Sequence, residues 1–153
     1  MQVETYTDRY YLDVVKIVEN FYKEAIGEYD EFFDPDAVIE AIKKLKEHNS
    51  ENAFLLIVNG SCEGLLAGME FQSMTSGKRI FQEIIWYVNE SFRSRGVALL
   101  NKVQEILKSR GISIMIMAVL ENSKTEKLKA LYAKMGFKPV EVHYVKVLSN
   151  GLC

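Results

Sequence analysis

The chain has 153 residues, of which 48% are hydrophobic and 26% charged, and its net charge is −2. Those figures describe one ordinary soluble domain, able to bury roughly 70% of the surface its unfolded chain exposes. They exclude a strongly basic partner-binding surface: lysine and arginine are dispersed, so no case for nucleic acid arises. No apolar run approaches the ~20 residues of a membrane helix. The first ten positions are acidic and polar where a signal peptide would be apolar, so a cytoplasmic protein is expected. The two Asn-x-Ser matches, at Asn59 and Asn89, are discounted on the same ground.

Residues 2–6 alternate and read as a first strand. Thr7 or Asp8 can cap a helix whose apolar face is Leu12, Val15, Val18, Phe21, Tyr22 and Ala25, with Gly27 ending it. Residues 28–33 form a loop of three acids and three aromatics. Asp34-Pro35 starts a second helix, aspartate at the cap and proline at the first turn; Val38, Ile39, Ala41, Ile42 and Leu45 are its buried face. Residues 52–58 are a strand. Asn59-Gly60 is a strong hairpin signal, and residues 61–73 return, with Gly64 and Gly68 marking bends or bulges. After a turn at 75–78 comes a strand over 80–88, rich in β-branched and aromatic residues.

The short segment Asn89-Glu90-Ser91-Phe92-Arg93-Ser94-Arg95-Gly96 then feeds a helix whose apolar positions are Val97, Leu100, Val103, Ile106 and Leu107, capped by Gly111. Residues 112–120 are almost continuously apolar, as for a strand buried on both faces beside a parallel neighbour. Residues 125–135 form a helix with Leu128, Leu131 and Met135 inward and Gly136 beyond its end. One or two strands are expected over 137–148, and a loose tail over 149–153. The whole is expected to be a single domain.

The junction at residues 88–98 carries the first functional signal. The leading N–H groups of a helix lack internal partners and its dipole is positive there, so a turn entering a helix start suits an anion. Gly96 lets the backbone come close to a ligand, and Arg93 and Arg95 add charge that matches phosphate oxygens. Neither G-x-x-x-x-G-K-[ST] nor G-x-G-x-x-G is present. Arg93-Ser94-Arg95-Gly96-Val97-Ala98 instead resembles the [RQ]-x-x-G-x-[GA] signature of the GNAT superfamily of acyl-CoA-dependent N-acyltransferases. Leu131-Tyr132-Ala133-Lys134-Met135-Gly136-Phe137 is similar to that family's "LYxxxGF", in the same order along the chain.

The resemblance implies an α/β fold: a mixed sheet of six to seven strands flanked by about four helices, with its two central strands splayed. It implies acetyl-CoA as cosubstrate, with Arg93, Ser94, Arg95, Gly96, Val97 and Ala98 around its pyrophosphate and the main chain of Tyr87 and Val88 along pantetheine and thioester. Asn122 would hold the pantetheine arm, although family spacing puts Thr125 closer to the usual place. Tyr132 would be the acid that protonates the departing thiolate: a phenol of pKa ~10 stays protonated at neutral pH beside a thiol of pKa ~8.5. The implied reaction is transfer of an acetyl group to a primary amine of a small molecule or peptide by direct attack. The alternative is a non-catalytic CoA-binding regulatory module.

An amine of pKa ~10.4 must lose a proton before it attacks. Glu83, on the strand over 80–88, is the first candidate base and Glu70, on the neighbouring strand, the reserve; the competing reading of Glu83 is an outward residue paired with Lys78 or Arg79. The acidic, aromatic loop with Glu28, Asp30 and Glu31 would suit a cationic acceptor. Trp86 reads as core or as the wall of a cleft, and Met115, Met117 and Met135 as gap-filling core. His48 and His143 lack ligand-spaced partners, Cys62 and Cys153 form no redox or metal pattern, and no metal is expected. Dimers are common in the family, and the strand over 141–148 is the element that would pair across such an interface; composition does not settle it.

Overall fold

A computed structural model describes residues 1–26, 34–120 and 124–149. Among these the elements are β1 (Gln2–Thr5), α1 (Tyr11–Phe21), α2 (Pro35–His48), β2 (Ala53–Val58), β3 (Ser61–Gln72), β4 (Arg79–Val88), α3 (Gly96–Ser109), β5 (Ile114–Ile116) and α4 (Thr125–Lys134). The chain divides into two units, Met1–Ala118 and Val119–Cys153.

In the first unit the sheet order is β1-β2-β3-β4-β5; the first three pairings are antiparallel and β4–β5 is parallel. All six residues of β2 are buried, which is why its sequence, Ala-Phe-Leu-Leu-Ile-Val, does not alternate. Asn59 (φ 50) and Gly60 (φ 82) both take the left-handed conformation that a two-residue hairpin needs to match strand twist. Gly68 allows a close approach: a Cβ there would sit 2.2 Å from the Gln82 carbonyl oxygen.

Two bulges bend the sheet. Leu56 faces Gly64 and Ile57 faces Cys62, so Glu63 is the extra residue of β3. Ala67 faces Ile85 and Gly68 faces Glu83, so Ile84 is the extra residue of β4 and is turned out to solvent. The Phe54 and Phe81 rings meet edge-on at 6.1 Å, and Phe54, Leu66 and Trp86 lie in one cross-strand row. Phe81 and Trp86 therefore share a face although five positions separate them. Tyr87 is on the opposite face, its ring 6.1 Å from Phe21 of α1.

Several boundaries differ from the sequence reading. A short 3-10 turn, Asp8–Tyr10, precedes α1, and Thr7 makes no side-chain cap. The buried face of α1 is Val14, Ile17, Val18 and Phe21, whereas Leu12 is 77% exposed. Its last turn widens into a π-helical segment, Tyr22–Ile26. The expected end at Gly27 and the loop over 28–33 lie outside the described residues. Asp34 does cap α2: its carboxylate accepts the Asp36 N–H at 2.9 Å. β5 is three residues long rather than nine, pairing Ile114–Ile116 with Ile80–Gln82 alone. Pairing stops where the β4 bulge begins, and the Ala118 N–H turns instead to the Glu83 carboxylate, at 3.0 Å.

In the second unit the Thr125 hydroxyl donates to the Leu120 carbonyl at 2.8 Å where α4 starts. At its end the Phe137 N–H returns to the Tyr132 carbonyl at 2.9 Å around Gly136. The strands expected over 137–148 do not form, so five strands stand among the described residues where six to seven were expected. The alternation Val140, Val142, Tyr144 supplies a face, but a strand also needs a neighbour for its N–H and C=O groups. Pro139 has no donor to offer, and no ladder includes this segment.

Candidate functional site

Glu83 follows Phe81 by two residues and ends up 9% exposed, not outward beside Lys78 or Arg79 as the competing reading had it. Burial pushes its carboxyl up to about 7, against the opposing pull of the Ala118 N–H. The group thus lies where β4 and β5 part, its carboxyl raised out of the ordinary carboxylate range, with one polar contact from the main chain. Glu70, the reserve base, is committed elsewhere: it pairs with Arg79, whose guanidinium also donates to the Arg110 carbonyl at 2.7 Å.

Beyond Val88 the chain makes a 3-10 turn, Glu90–Arg95, running directly into α3. Asn89 holds the turn, a role that nothing in the sequence signalled. Its N–H donates to the Glu63 carbonyl at 2.9 Å, its amide to the Glu63 carboxylate at 2.8 Å, and its Oδ1 accepts from Asn20 at 3.2 Å. α3 begins with Arg95 at the cap position, no side-chain cap and no acid in the first turn. The positive end of its dipole is therefore left uncompensated by its own side chains. Ser94 and Val97 are exposed, Ala98 and Arg95 half-buried, and the Arg95 guanidinium stands 5.8 Å from the Phe92 ring. A Cβ on Gly96 would meet only Trp86 and Val88, both at 3.7 Å, so packing does not demand glycine there.

Arg93 is placed differently from Arg95. Its guanidinium pairs with the Glu24 carboxylate, lies 5.6 Å from the Tyr87 ring centroid, and reaches the Val88 carbonyl through Nε at 3.4 Å. The Tyr87 hydroxyl donates to the same carboxylate at 2.6 Å. Glu24 stands 69 residues from Arg93, on the π-helical segment after α1, and no sequence spacing could have paired them. A cavity of about 510 Å³ opens beside this cluster, lined by Lys16, Asn20, Lys23, Glu24, Tyr87 and Phe92 among others.

The first unit thus brings Tyr87, Val88 and Arg93 together with Glu24, and sets Glu83 four residues back along β4. In the second unit Tyr132 is 8% exposed on α4, with the Phe137 ring 5.4 Å away. Asn122 lies outside the described residues. Thr125, which holds the place family spacing assigns to it, is engaged at the start of α4. Cys62 is buried, its thiol pushed up to about 12, away from the β4–α3 turn in sequence and unreactive at neutral pH. Among the described residues no three His, Cys, Asp or Glu side chains gather as a metal site, and no helix is long and apolar enough to cross a membrane.

Residues 18–137 match the model of the acetyltransferase (GNAT) family. No curated protein sequence matches the chain. Similar solved structures include a possible acetyltransferase from Clostridium difficile 630, with TM-score 0.77, 17% identity and 97% of each chain covered. An aminoglycoside acetyltransferase from an uncultured soil metagenomic sample has TM-score 0.72 and 18% identity, over 97% of this chain and 98% of that one. Ribosomal-protein-alanine N-acetyltransferase from Brucella melitensis biovar Abortus 2308 has TM-score 0.72 and 14% identity, over 97% of this chain and 100% of that one. At such identities the likeness is one of fold.

Proposed function

The chain belongs to the GNAT acetyltransferase family, and from that premise we propose that it transfers the acetyl group of acetyl-CoA to a primary amine of a small molecule or peptide by direct attack. The observation that carries this reading is Glu83: a carboxyl buried where β4 and β5 part, raised to about 7, is a general base matched to neutral pH. The alternative, a non-catalytic CoA-binding module, would leave Glu83 with only its structural contact to the Ala118 N–H, and Glu83→Gln separates the two readings: unchanged turnover with CoA still bound favours the module.

The residues present fit acyl-CoA. The Gly96 N–H already donates to the Arg93 carbonyl where the 3-10 turn runs into α3, so the amides of Val97 and Ala98, with Arg95 and the exposed Ser94 beside them and no acid in the first turn of α3, are what suit a pyrophosphate. Tyr87 and Val88 pair with β3 on one side and lie beyond the β5 ladder on the other, a strand edge that suits the pantetheine amides. When bound, acetyl-CoA supplies an acetyl group activated as a thioester. Glu83 then takes the proton that the attacking nitrogen must lose, directly or through one water. Tyr132, assigned from its motif, returns a proton to the sulfur that leaves. The acceptors named for the similar structures, aminoglycosides and a protein alanine, are the two classes to try first.

The test is a thermal-shift titration with acetyl-CoA, CoA and dephospho-CoA, followed by thiol release with amine acceptors of both classes. A ligand bound only by the folded state, present at 100 times its Kd, adds about 2.7 kcal/mol of stability. A saturable rise with acetyl-CoA and acceptor-dependent thiol release are expected. No rise at millimolar ligand would remove the cosubstrate and every role built on it.

A further inference from the structure

We propose that Glu24 is a positioning residue for the cosubstrate strand and turn: its carboxylate ties Tyr87 to Arg93 and so sets the backbone of residues 87–93. The proposal rests on the acyl-CoA reading above. One carboxylate receives both the Tyr87 hydroxyl, at 2.6 Å, and the Arg93 guanidinium, while Arg93 Nε reaches back to the Val88 carbonyl at 3.4 Å. The three side chains thus close a bracket from the last residues of β4 to the middle of the turn. Its anchor is the π-helical segment Tyr22–Ile26, a widened turn of the kind that helices use to aim a side chain at a site. Phe21 fixes the same strand end by its edge-on contact with Tyr87.

The charge accounting divides the two arginines of the signature. The charge of Arg93 is already met by Glu24, and its ring-side face is turned to Tyr87. Arg95, which has no carboxylate partner among the described residues, and the α3 amides after Gly96, whose own N–H donates to the Arg93 carbonyl, are what remain for phosphate. The Glu24 and Arg93 side chains are 31% and 38% exposed, and pairs that wet add little to folding stability. What the bracket controls is geometry: small misplacements of binding groups are expensive even when the fold survives.

Steady-state kinetics with acetyl-CoA and with S-acetyl-pantetheine, which lacks the phosphates, separate the roles. Glu24→Gln and Arg93→Gln are each expected to raise KM ~10-fold for both thioesters, with kcat much less affected, and the double variant to be no worse than either single one. Arg95→Gln should instead penalise acetyl-CoA more than S-acetyl-pantetheine. KM within twofold of wild type for Glu24→Gln would overturn the proposal. So would an Arg93→Gln effect confined to acetyl-CoA, or effects of the two changes that simply multiply. Should Glu24→Gln fail to fold, Tyr87→Phe opens the same bracket from its other side and must show the same paired rise. Wild type that neither binds nor turns over acetyl-CoA sinks the acyl-CoA reading and this proposal together; active wild type with an indifferent Glu24 sinks this proposal alone.

Discussion

A base that titrates near 7 leaves a signature that other strand residues do not. Removing its proton acceptor is expected to cost ~10²–10⁴ in kcat, so Glu83→Gln should lose that much while KM for acetyl-CoA changes little. Because the deprotonated form is the active one, wild-type kcat/KM should rise with pH and level off above about 7. Residual activity in Glu83→Gln should lack that inflection, and an unchanged pH profile would dismiss Glu83 as the base. Tyr132→Phe keeps the ring that meets Phe137 at 5.4 Å and removes only the hydroxyl. Its kcat should fall ~10-fold or more, read by thiol release. The sequence placed both residues on their elements and left their surroundings open. For Glu83 the reason is specific: a period of two cannot foresee that Ile84 is skipped, and it is the skip that puts Phe81, Glu83 and Trp86 on one face.

At the scale of elements, two glycines separate packing from ligand approach. Gly68→Ala would drive a Cβ to 2.2 Å from the Gln82 carbonyl oxygen and 2.7 Å from the Phe81 ring, at the bulge where β3 and β4 are locked. It should cost ~1–3 kcal/mol or more, seen as a lower urea midpoint. Gly96→Ala meets only ordinary contacts at 3.7 Å and gains helix propensity of up to ~1 kcal/mol. That variant should be as stable as wild type yet bind acetyl-CoA more weakly, because the glycine then serves the ligand and not the fold. Elements announced by local chemistry were legible: the Asn59-Gly60 hairpin, the Asp34 cap and the Gly136 helix end all stand where turn and cap residues put them. Elements that depend on a distant partner were not. β5 shrank because the Ala118 N–H went to a side chain, and the segment after Gly136 kept its alternation without acquiring a ladder.

Over the whole molecule, three buried acids push stability in one direction. Burial raises Glu83 to about 7, the Cys62 thiol to about 12 and the Tyr6 phenol to about 12, in each case because the neutral form is the one that tolerates the interior. A group whose folded pKa lies above its unfolded value binds its proton more tightly when folded. Its contribution is complete below the unfolded pKa and is lost as pH rises through the folded one. For Glu83 that window runs from about 4.5 to about 7; for Cys62 it runs from about 9 to about 12. Glu40, lowered by Lys43, acts in the opposite sense, but it is fully exposed and weighs little. The raised Glu83 alone corresponds to a loss on the order of 3 kcal/mol between the two ends of its window, since each pKa unit is worth about 1.4 kcal/mol. Urea unfolding should therefore give a more stable protein at pH 5 than at pH 8. Glu83→Gln keeps an oxygen for the Ala118 N–H and has no charge to bury, so it should flatten that slope and exceed wild type in stability at pH 8 while losing activity. A slope that survives the substitution would mean that another group titrates there and that the Glu83 carboxyl is better solvated than its 9% exposure implies.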